Sequence, residues 1–401
     1  MSVTSHPMRS RSVLEVRSHF LPYHLPSIEQ EEIDAVVDTL RSGWLTTGAK
    51  VKQFEEAFRA KVGARHAVAL NSCTAALHLA LEAVGVREGD EVIVPTMTFA
   101  ATGEVVAYLK AKPVLVDCRP DNLTIDVDQV ERSLSPKTKA ILPVHFAGHP
   151  CDMVPLLELA RSRNVYVIED AAHALPAWYQ GVMVGAIGDI TCFSFYATKT
   201  ITTGEGGMAT TQHGEWAERM RVMSLHGMSR HAWNRYSAEG SWSYEILQSG
   251  YKYNLTDLAA ALGIEQLKKC ERFWKIRERY AALYHEGFED LPEIIRPAVA
   301  DNVQPAWHLY VVQLDLHRLR IGRNEFIDLL KKYNIGTSVH FIPLHLHPYY
   351  RRTYGYRPAD FPNARACFDR ILSLPLYPKM SEADVYYVID VVREVVQHYR
   401  R

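Results

Sequence analysis

Residues 165–174 read VYVIEDAAHA and residues 192–211 read CFSFYATKTITTGEGGMATT. The first is a β-branched apolar run that ends on an acid, Asp170; the second sets Lys199 between an aromatic–serine run and a glycine-rich turn. Short apolar runs bounded by turn residues are the mark of buried strands. Runs of the same texture lie upstream: HAVAL (66–70), EVIVP (91–95), KPVLVD (112–117) and KAILPVHF (139–146). Between them the apolar spacing becomes helical, over Ala75–Val84, Ala100–Leu109, Val127–Leu134 and Met153–Arg163. Strand and helix in alternation predict an α/β fold, with right-handed crossovers and a mostly parallel sheet covered by helices. In such sheets ligands bind at the carboxyl ends of the strands. Asp170 occupies one of those ends.

The flanks extend this pattern. Ile28–Leu40 reads as a helix with Ser27 as N-cap, and Val51–Val62 as a second amphipathic helix. DITCFSF (189–195) and GGMATT (206–211) read as strands on either side of Lys199, and Leu255–Leu283 as a long helix bending between domains. Farther on, AWHLYVVQLDL (306–316) and GTSVHF (336–341) read as strands, and Asn324–Tyr333 as a helix stopped by Gly336. HLHPYYRRTYGYRPADFPN (345–363) reads as an irregular loop, and Ser381–Tyr399 as a closing helix capped by Ser381. The expected organisation is a flexible N-terminal extension (1–20), a large domain (21–275) and a smaller α+β C-terminal domain (276–401).

Composition excludes several classes. With 45 basic and 46 acidic residues the chain is nearly neutral, which argues against a nucleic-acid or polybasic membrane partner. No apolar run approaches a membrane span, and the Arg-rich first twenty residues lack the apolar core of a secretory signal. Six scattered cysteines without a C-x-x-C pair read as buried thiols in a reducing cytoplasm. His145 and His149 sit among Gly and Pro, and no H-E-x-x-H occurs, so no metal is expected.

The chemistry starts from Lys199 and Asp170. A free lysine, with a pKa near ~10.4, is protonated at neutral pH, and only desolvation or a neighbouring cation frees the amine. An aspartate that closes an apolar strand is buried and needs a partner. A lysine amine for a Schiff base and an acid for a pyridinium nitrogen are together what pyridoxal 5'-phosphate requires. The bland readings are a solvated surface lysine and a helix-capping aspartate. His173 is a candidate for the cofactor's phenolic oxygen, or a satisfied core histidine. NSCTAALHLALEAVG (71–85) follows a strand directly and opens an apolar helix stopped by Gly85. The free N–H groups at such a helix start attract phosphate, with Ser72, Thr74 and Ala75 as candidates. Ser194 adds a hydroxyl from the lysine side, and Phe99 is placed to lie flat on a ring. The TGEGG turn (203–207) fits neither G-x-G-x-x-G nor a P-loop.

On these residues the chain resembles the pyridoxal-phosphate-dependent sugar-nucleotide aminotransferases of the DegT/StrS family, fold type I. The matching segments are SGWLTTG (42–48), NSCTAALHLAL (71–81), GDEVIVPTMTF (89–99), IEDAAHA (168–174), CFSFYATKTITTGEGG (192–207), GYKYNLTDLAAALG (250–263), AWHLYVV (306–312), GTSVHFIPLH (336–345) and LSLPLYP (372–378). The resemblance implies a mostly parallel seven-stranded sheet and Lys199 as internal-aldimine lysine and catalytic base. It implies Asp170 on the pyridine nitrogen, His173 near the phenolic oxygen, Phe99 on the ring, and Thr74, Ala75 and Ser194 on the phosphate. It further implies a cytoplasmic homodimer in which Lys252 or Asn254 reaches the partner's site. Trp44, Thr47, Trp307, His308, His340 and His345 fall in matching segments expected around the acceptor substrate. Three features depart from the family pattern: Cys73 stands where Gly is common, Lys252 where Asn is common, and the polar N-terminal extension is unusual.

The implied reaction is ping-pong transfer of an amino group, from an amino acid such as glutamate to a nucleotide-linked keto sugar. A sugar dehydratase on the same scaffold is the nearest rival, but that branch resembles this one with His in place of Lys199. A same-fold aminotransferase for non-sugar amines or ketones, and a non-enzymatic regulatory protein, complete the alternatives. The last expects an eroded site, whereas the lysine, the acid and the phosphate turn are all intact.

Overall fold

The computed structural model describes residues 14–229 and 244–401. The strands are β1 (His66–Leu70), β2 (Glu91–Pro95), β3 (Lys112–Val116), β4 (Thr138–Ile141), β5 (Tyr166–Asp170), β6 (Trp178–Tyr179), β7 (Val182–Met183), β8 (Ile190–Ser194), β9 (Gly207–Thr211), β10 (Ile294–Ile295), β11 (Val303–Gln304), β12 (Tyr310–Leu314) and β13 (Ile371–Leu374). The α-helices are α1 (Gln30–Ser42), α2 (Ala49–Val62), α3 (Cys73–Ala83), α4 (Ala100–Tyr108), α5 (Val127–Ser133), α6 (Met153–Arg163), α7 (Gly214–Ser224), α8 (Asp257–Gly287), α9 (Arg323–Lys332), α10 (Pro348–Tyr354), α11 (Pro362–Phe368) and α12 (Glu382–Tyr399).

Seven strands form the main sheet in the order β1-β9-β8-β5-β4-β2-β3. All neighbours are parallel except those of β9, which runs antiparallel to β1 and β8. The carboxyl ends of β1, β2, β5 and β8 therefore share one edge. Side-chain alternation explains why the strands read as continuous apolar runs. Val68, Val92, Val94, Ile168 and Ile190 face the helices α3 and α4. Ala67, Phe193 and Met208 face α2 and α8, while Ile93, Ile141 and Val167 face α5 and α6. Both sides are buried, so no polar alternation survives.

A second sheet, β10-β12-β13, packs with α9, α12 and the end of α8 into the C-terminal core. The 275/276 division falls inside α8, an unbroken helix whose Phe273 packs in the large core and whose Tyr280 packs in the small one. The partition is not clean, because Leu309, Val311, Leu344 and Phe361 belong to the core of the large sheet.

Several expectations are corrected. Glu29, not Ser27, caps α1, through a reciprocal box with Glu32. The expected loop 345–363 is largely helical: α10 and α11 begin at Pro348 and Pro362, and a 3-10 turn begins at Pro358. Proline suits a first helical position, since its missing N–H has no partner there in any case. GTSVHF is not a strand, and pairs only through an isolated bridge between Ser338 and Ser373. Gly336 does not stop α9, which ends at Lys332. A Cβ on Gly336 would lie 2.8 Å from the Tyr23 nitrogen, so the glycine admits the N-terminal segment instead. Of the expected extension, residues 1–13 lie outside the described residues. Within residues 14–20, Arg17 is tied to the C-terminal helix: it pairs with Asp384 and its N–H donates to the Tyr387 hydroxyl.

Candidate active site

Asp170 ends β5 opposite Cys192 of β8 and is buried. Its Oδ2 accepts from the Thr102 hydroxyl at 2.8 Å, and its Oδ1 from the Ala172 N–H at 3.1 Å. Thr102 is itself linked to Thr98 at 2.7 Å. Burial pushes the Asp170 carboxyl up, an effect the Thr102 and Ala172 donors and the Lys199 charge oppose. Each carboxylate oxygen has one donor and a further lone pair. Its main chain is fixed as well, with N–H to Pro143 and C=O from the His145 N–H.

Lys199 lies on the connection from β8 to β9 (195–206). That connection is folded back on itself: Phe195 N–H donates to the Gly206 carbonyl, and Thr202 Oγ1 to the Phe195 carbonyl. Gln266 on α8 accepts from the Thr202 N–H. A side chain at Gly206 would lie 2.2 Å from Thr203 Oγ1, so the fold of the loop requires glycine. Burial lowers the Lys199 amine to about 8, and the Cys73 and Asp170 charges oppose the shift. The amine is thereby brought within reach of deprotonation near neutral pH.

The phosphate candidates sit beside this loop. Ser72 caps α3, its Oγ accepting from Ala75 N–H at 3.0 Å, so those two groups engage each other. Among the described residues the Cys73 and Thr74 N–H groups have no protein acceptor, leaving two main-chain donors at the positive end of the helix. The Cys73 thiol does not crowd the turn, because it points inward to the Cys192 carbonyl. A Cβ on Gly207 would come within 2.4 Å of the Ser72 carbonyl, so β9 and the turn touch directly. Ser194 pairs in register with Gly207 and hence flanks the turn.

The aromatic and imidazole residues converge from elsewhere. Phe99, at the start of α4, is 61 % exposed, with Phe341 at 5.8 Å. His173 lies 4.5 Å from His308 and stacks on Phe341 at 5.8 Å. Burial pushes the His173 and His308 imidazoles well below their usual range, and lowers His340 and His24, each aided by the Lys199 charge. The Nδ1 atoms of His173 and His308 are buried and have no hydrogen-bond partner among the described residues.

The expected acceptor residues divide. His308 and His340 gather near Lys199. Trp44 and Thr47 form a separate corner with Asn254, whose Nδ2 donates to Thr47 Oγ1 at 2.7 Å. Lys252 Nζ donates to Asn254 Oδ1 at 2.6 Å, and Asn254 bridges Leu70 just before the turn that opens α3. Two residues lie elsewhere. His345 is fully buried, 2.7 Å from Thr96 Oγ1 and against Phe361. The Trp307 ring packs with Tyr310 and His285. The sequence pattern does not single out Thr98, Thr102, His24, Phe341 or Arg277. Thr98 has a near partner, Thr102, four residues on, but the contacts of the other four cross long sequence separations, and no local pattern announces them.

These residues fit pyridoxal phosphate: a satisfied acid with lone pairs to spare, a desolvated lysine, two free helix-end N–H groups and a buried imidazole Nδ1 without a partner. The fold and the site together define a pyridoxal-phosphate-dependent aminotransferase. The chain belongs to the DegT/DnrJ/EryC1/StrS aminotransferase family, which it matches over residues 26–393. It is 54 % identical to an uncharacterized protein of Methanocaldococcus jannaschii, over 96 % of this chain and 100 % of that one. It is 53 % identical to the spore coat polysaccharide biosynthesis protein SpsC of Bacillus subtilis, over 96 % and 99 % of the two chains. The PLP form of the putative sugar aminotransferase Spr1654 from Streptococcus pneumoniae superposes with a TM-score of 0.89 at 36 % identity, covering 95 % of this chain and 99 % of the other.

Proposed function

We propose that this enzyme moves an amino group from an amino acid, glutamate by preference, to a nucleotide-linked keto sugar, in two half-reactions at one site. The observation that carries the reading is a desolvated Lys199 amine, lowered to about 8, on the same sheet edge as the Thr102-anchored Asp170. The likeness to SpsC and Spr1654 supports a sugar as acceptor, since one is named for polysaccharide biosynthesis and the other as a putative sugar aminotransferase.

When bound, the cofactor supplies an electron sink for the bond changes at the substrate carbon. Asp170 holds the proton on the pyridine nitrogen. The N–H groups of Cys73 and Thr74, with the Thr74 and Ser194 hydroxyls, bind the phosphate, Phe99 covers the ring, and His173 faces the phenolic oxygen. Lys199 anchors the cofactor at rest; once displaced by the donor, its amine takes and returns the substrate proton. His308 and His340 are neutral acceptors for acceptor hydroxyls, and Trp44 and Thr47 line the outer corner. The working unit is a cytoplasmic homodimer, with Lys252 or Asn254 at the partner's phosphate. A lysine at position 199 favours transamination over dehydration, because the dehydration branch needs a residue there that does not re-form the lysine anchor.

The test is an absorbance titration of purified protein with pyridoxal phosphate, then glutamate, then a panel of nucleotide keto sugars, beside Lys199→Ala. The expected result is a visible band that bleaches with glutamate, releases 2-oxoglutarate and returns with one class of keto sugar. A band indifferent to glutamate would rule out that donor, and return of the band only with non-sugar ketones would rule out the sugar acceptor.

A further inference from the structure

Among the described residues, Arg277 is one of the largest fully buried side chains. It projects from the stretch of α8 where the two cores meet. Among the described residues it has no carboxylate partner; its Nη1 donates instead to the carbonyls of Leu376 at 2.6 Å, His308 at 3.2 Å and Trp307 at 3.5 Å. Its Nε and Nη2 have no hydrogen-bond partner among the described residues. Burial of a cation without a counter-charge is strongly unfavourable, so a fold that retains one at this point has a use for the charge or for its geometry.

The contacts indicate that use. Trp307 and His308 lead into β12, and Leu376 follows β13. One guanidinium therefore ties two segments of the C-terminal layer to the inter-core helix. His308 is held from both sides: its N–H donates to the Ala147 carbonyl at 3.1 Å, and its own carbonyl accepts from Arg277. Trp307, beside it, is in the left-handed region at φ 49°, a conformation a tryptophan keeps only where its surroundings enforce it. The imidazole so fixed lies 4.5 Å from His173.

We propose that Arg277 is a positioning residue of the active site, holding the His308 imidazole against His173 beside Lys199 through the carbonyls it binds. The proposal rests on the reading of Lys199 and His173 as cofactor residues, but its test does not require that reading to be right. The charge acts in the same direction as the geometry. The titratable groups facing His308 are His173, His24, Lys199 and Arg277, and none is an anion. Burial first, then these charges, keep His308 neutral. A neutral His308 offers its neighbour a lone pair or an N–H and adds no cation beside the lysine.

The experiment is 15N-histidine NMR of the full chain with and without pyridoxal phosphate, His308 being assigned through His308→Asn. It is run on wild type, Arg277→Met, Arg277→Lys and Tyr284→Phe. Tyr284→Phe is the structural control, since it removes a buried hydrogen bond to the adjacent Pro375 carbonyl without changing charge. In wild type His308 is expected to stay neutral from pH 5.5 to 8. In Arg277→Met the His308 and His173 resonances shift together, because the carbonyls that fix His308 lose their donor. Arg277→Lys keeps the charge and the neutral His308 but displaces the His173 resonance, and Tyr284→Phe changes neither. An unchanged His308 and His173 in Arg277→Met, or equal changes in Tyr284→Phe, would overturn the proposal. If Arg277→Met does not fold, Arg277→Lys decides it, and an unmoved His173 resonance sinks the idea. Loss of cofactor binding by wild type would instead count against the aminotransferase reading.

Discussion

The Thr102 hydroxyl donates to Asp170 Oδ2 at 2.8 Å, from the first turn of α4 to the end of β5. Two crossover units are thus joined at the acid that defines the site. Thr102→Val removes this donor and the link to Thr98. Pyridoxal phosphate affinity should fall about tenfold, the equivalent of about 1.4 kcal/mol, and the fold should lose about 1–3 kcal/mol because the buried Asp170 carboxylate loses a donor. Thr102→Ser should restore it. Equal affinity in Thr102→Val would show that Asp170 holds its position without help.

The buried Lys199 amine makes a stability prediction whose sign can be worked out. Its folded value, about 8, lies below the unfolded ~10.4, so between these values the unfolded chain binds more protons and stability rises with pH. Below pH 8 both states are protonated and the cost of the buried charge is fully present. Cofactor-free Lys199→Met should therefore melt higher than cofactor-free wild type at pH 7. The gap should close as pH rises from about 8 to about 10.4. A gap independent of pH would assign the difference to packing rather than to charge.

Gly207 is in direct contact with the turn that opens α3, the proposed phosphate site, a Cβ there lying 2.4 Å from Ser72 main-chain atoms. In Gly207→Ala the turn or β9 must shift. The expected effect is a loss of cofactor affinity of at least tenfold, read by absorbance titration, in a protein that still folds by circular dichroism. Gly204→Ala is the comparison: its φ of 78° strains the loop, but nothing lies within 4 Å of its Cβ, so it should lower stability more than affinity.

Behind Asp170 a second acid, Glu169, is buried with full satisfaction. It accepts from Gly188 N–H and His145 Nε2 at 2.8 Å and from the Thr191 hydroxyl. The His145 Nδ1 accepts from the Cys151 N–H, which puts the imidazole proton on Nε2. Glu169→Ala leaves these donors unpaired and should destabilise the fold by about 3 kcal/mol in urea unfolding. A change below about 0.5 kcal/mol, the usual range for a surface site, would mean that water replaces the carboxylate.

If Lys252 serves the partner's phosphate, Lys199→Ala and Lys252→Ala protomers should complement. Each variant alone should be impaired, and mixtures refolded together should recover part of the wild-type activity, because one site in each mixed dimer holds both lysines. No recovery would place Lys252 at its own chain's turn, which Asn254 already adjoins through Leu70.

The strand–helix rhythm up to residue 211, the cap Ser381 and the placing of Asp170 and Lys199 on one sheet edge were legible in the sequence. Each follows from local rules: period, capping and the position of a residue at a strand end. Local reading failed where partners are distant. The 345–363 segment looked like a loop because its Pro and Tyr content masks short helices that are stabilised by packing on the large core. His345 looked like a substrate contact until Thr96, far away in sequence, claimed it. That Thr102 anchors Asp170, that His308 meets His173, and that Arg277 serves carbonyls rather than a carboxylate were decided by tertiary structure alone. A hydrogen bond between remote residues leaves no period in the chain, and only the closed fold brings its two ends together.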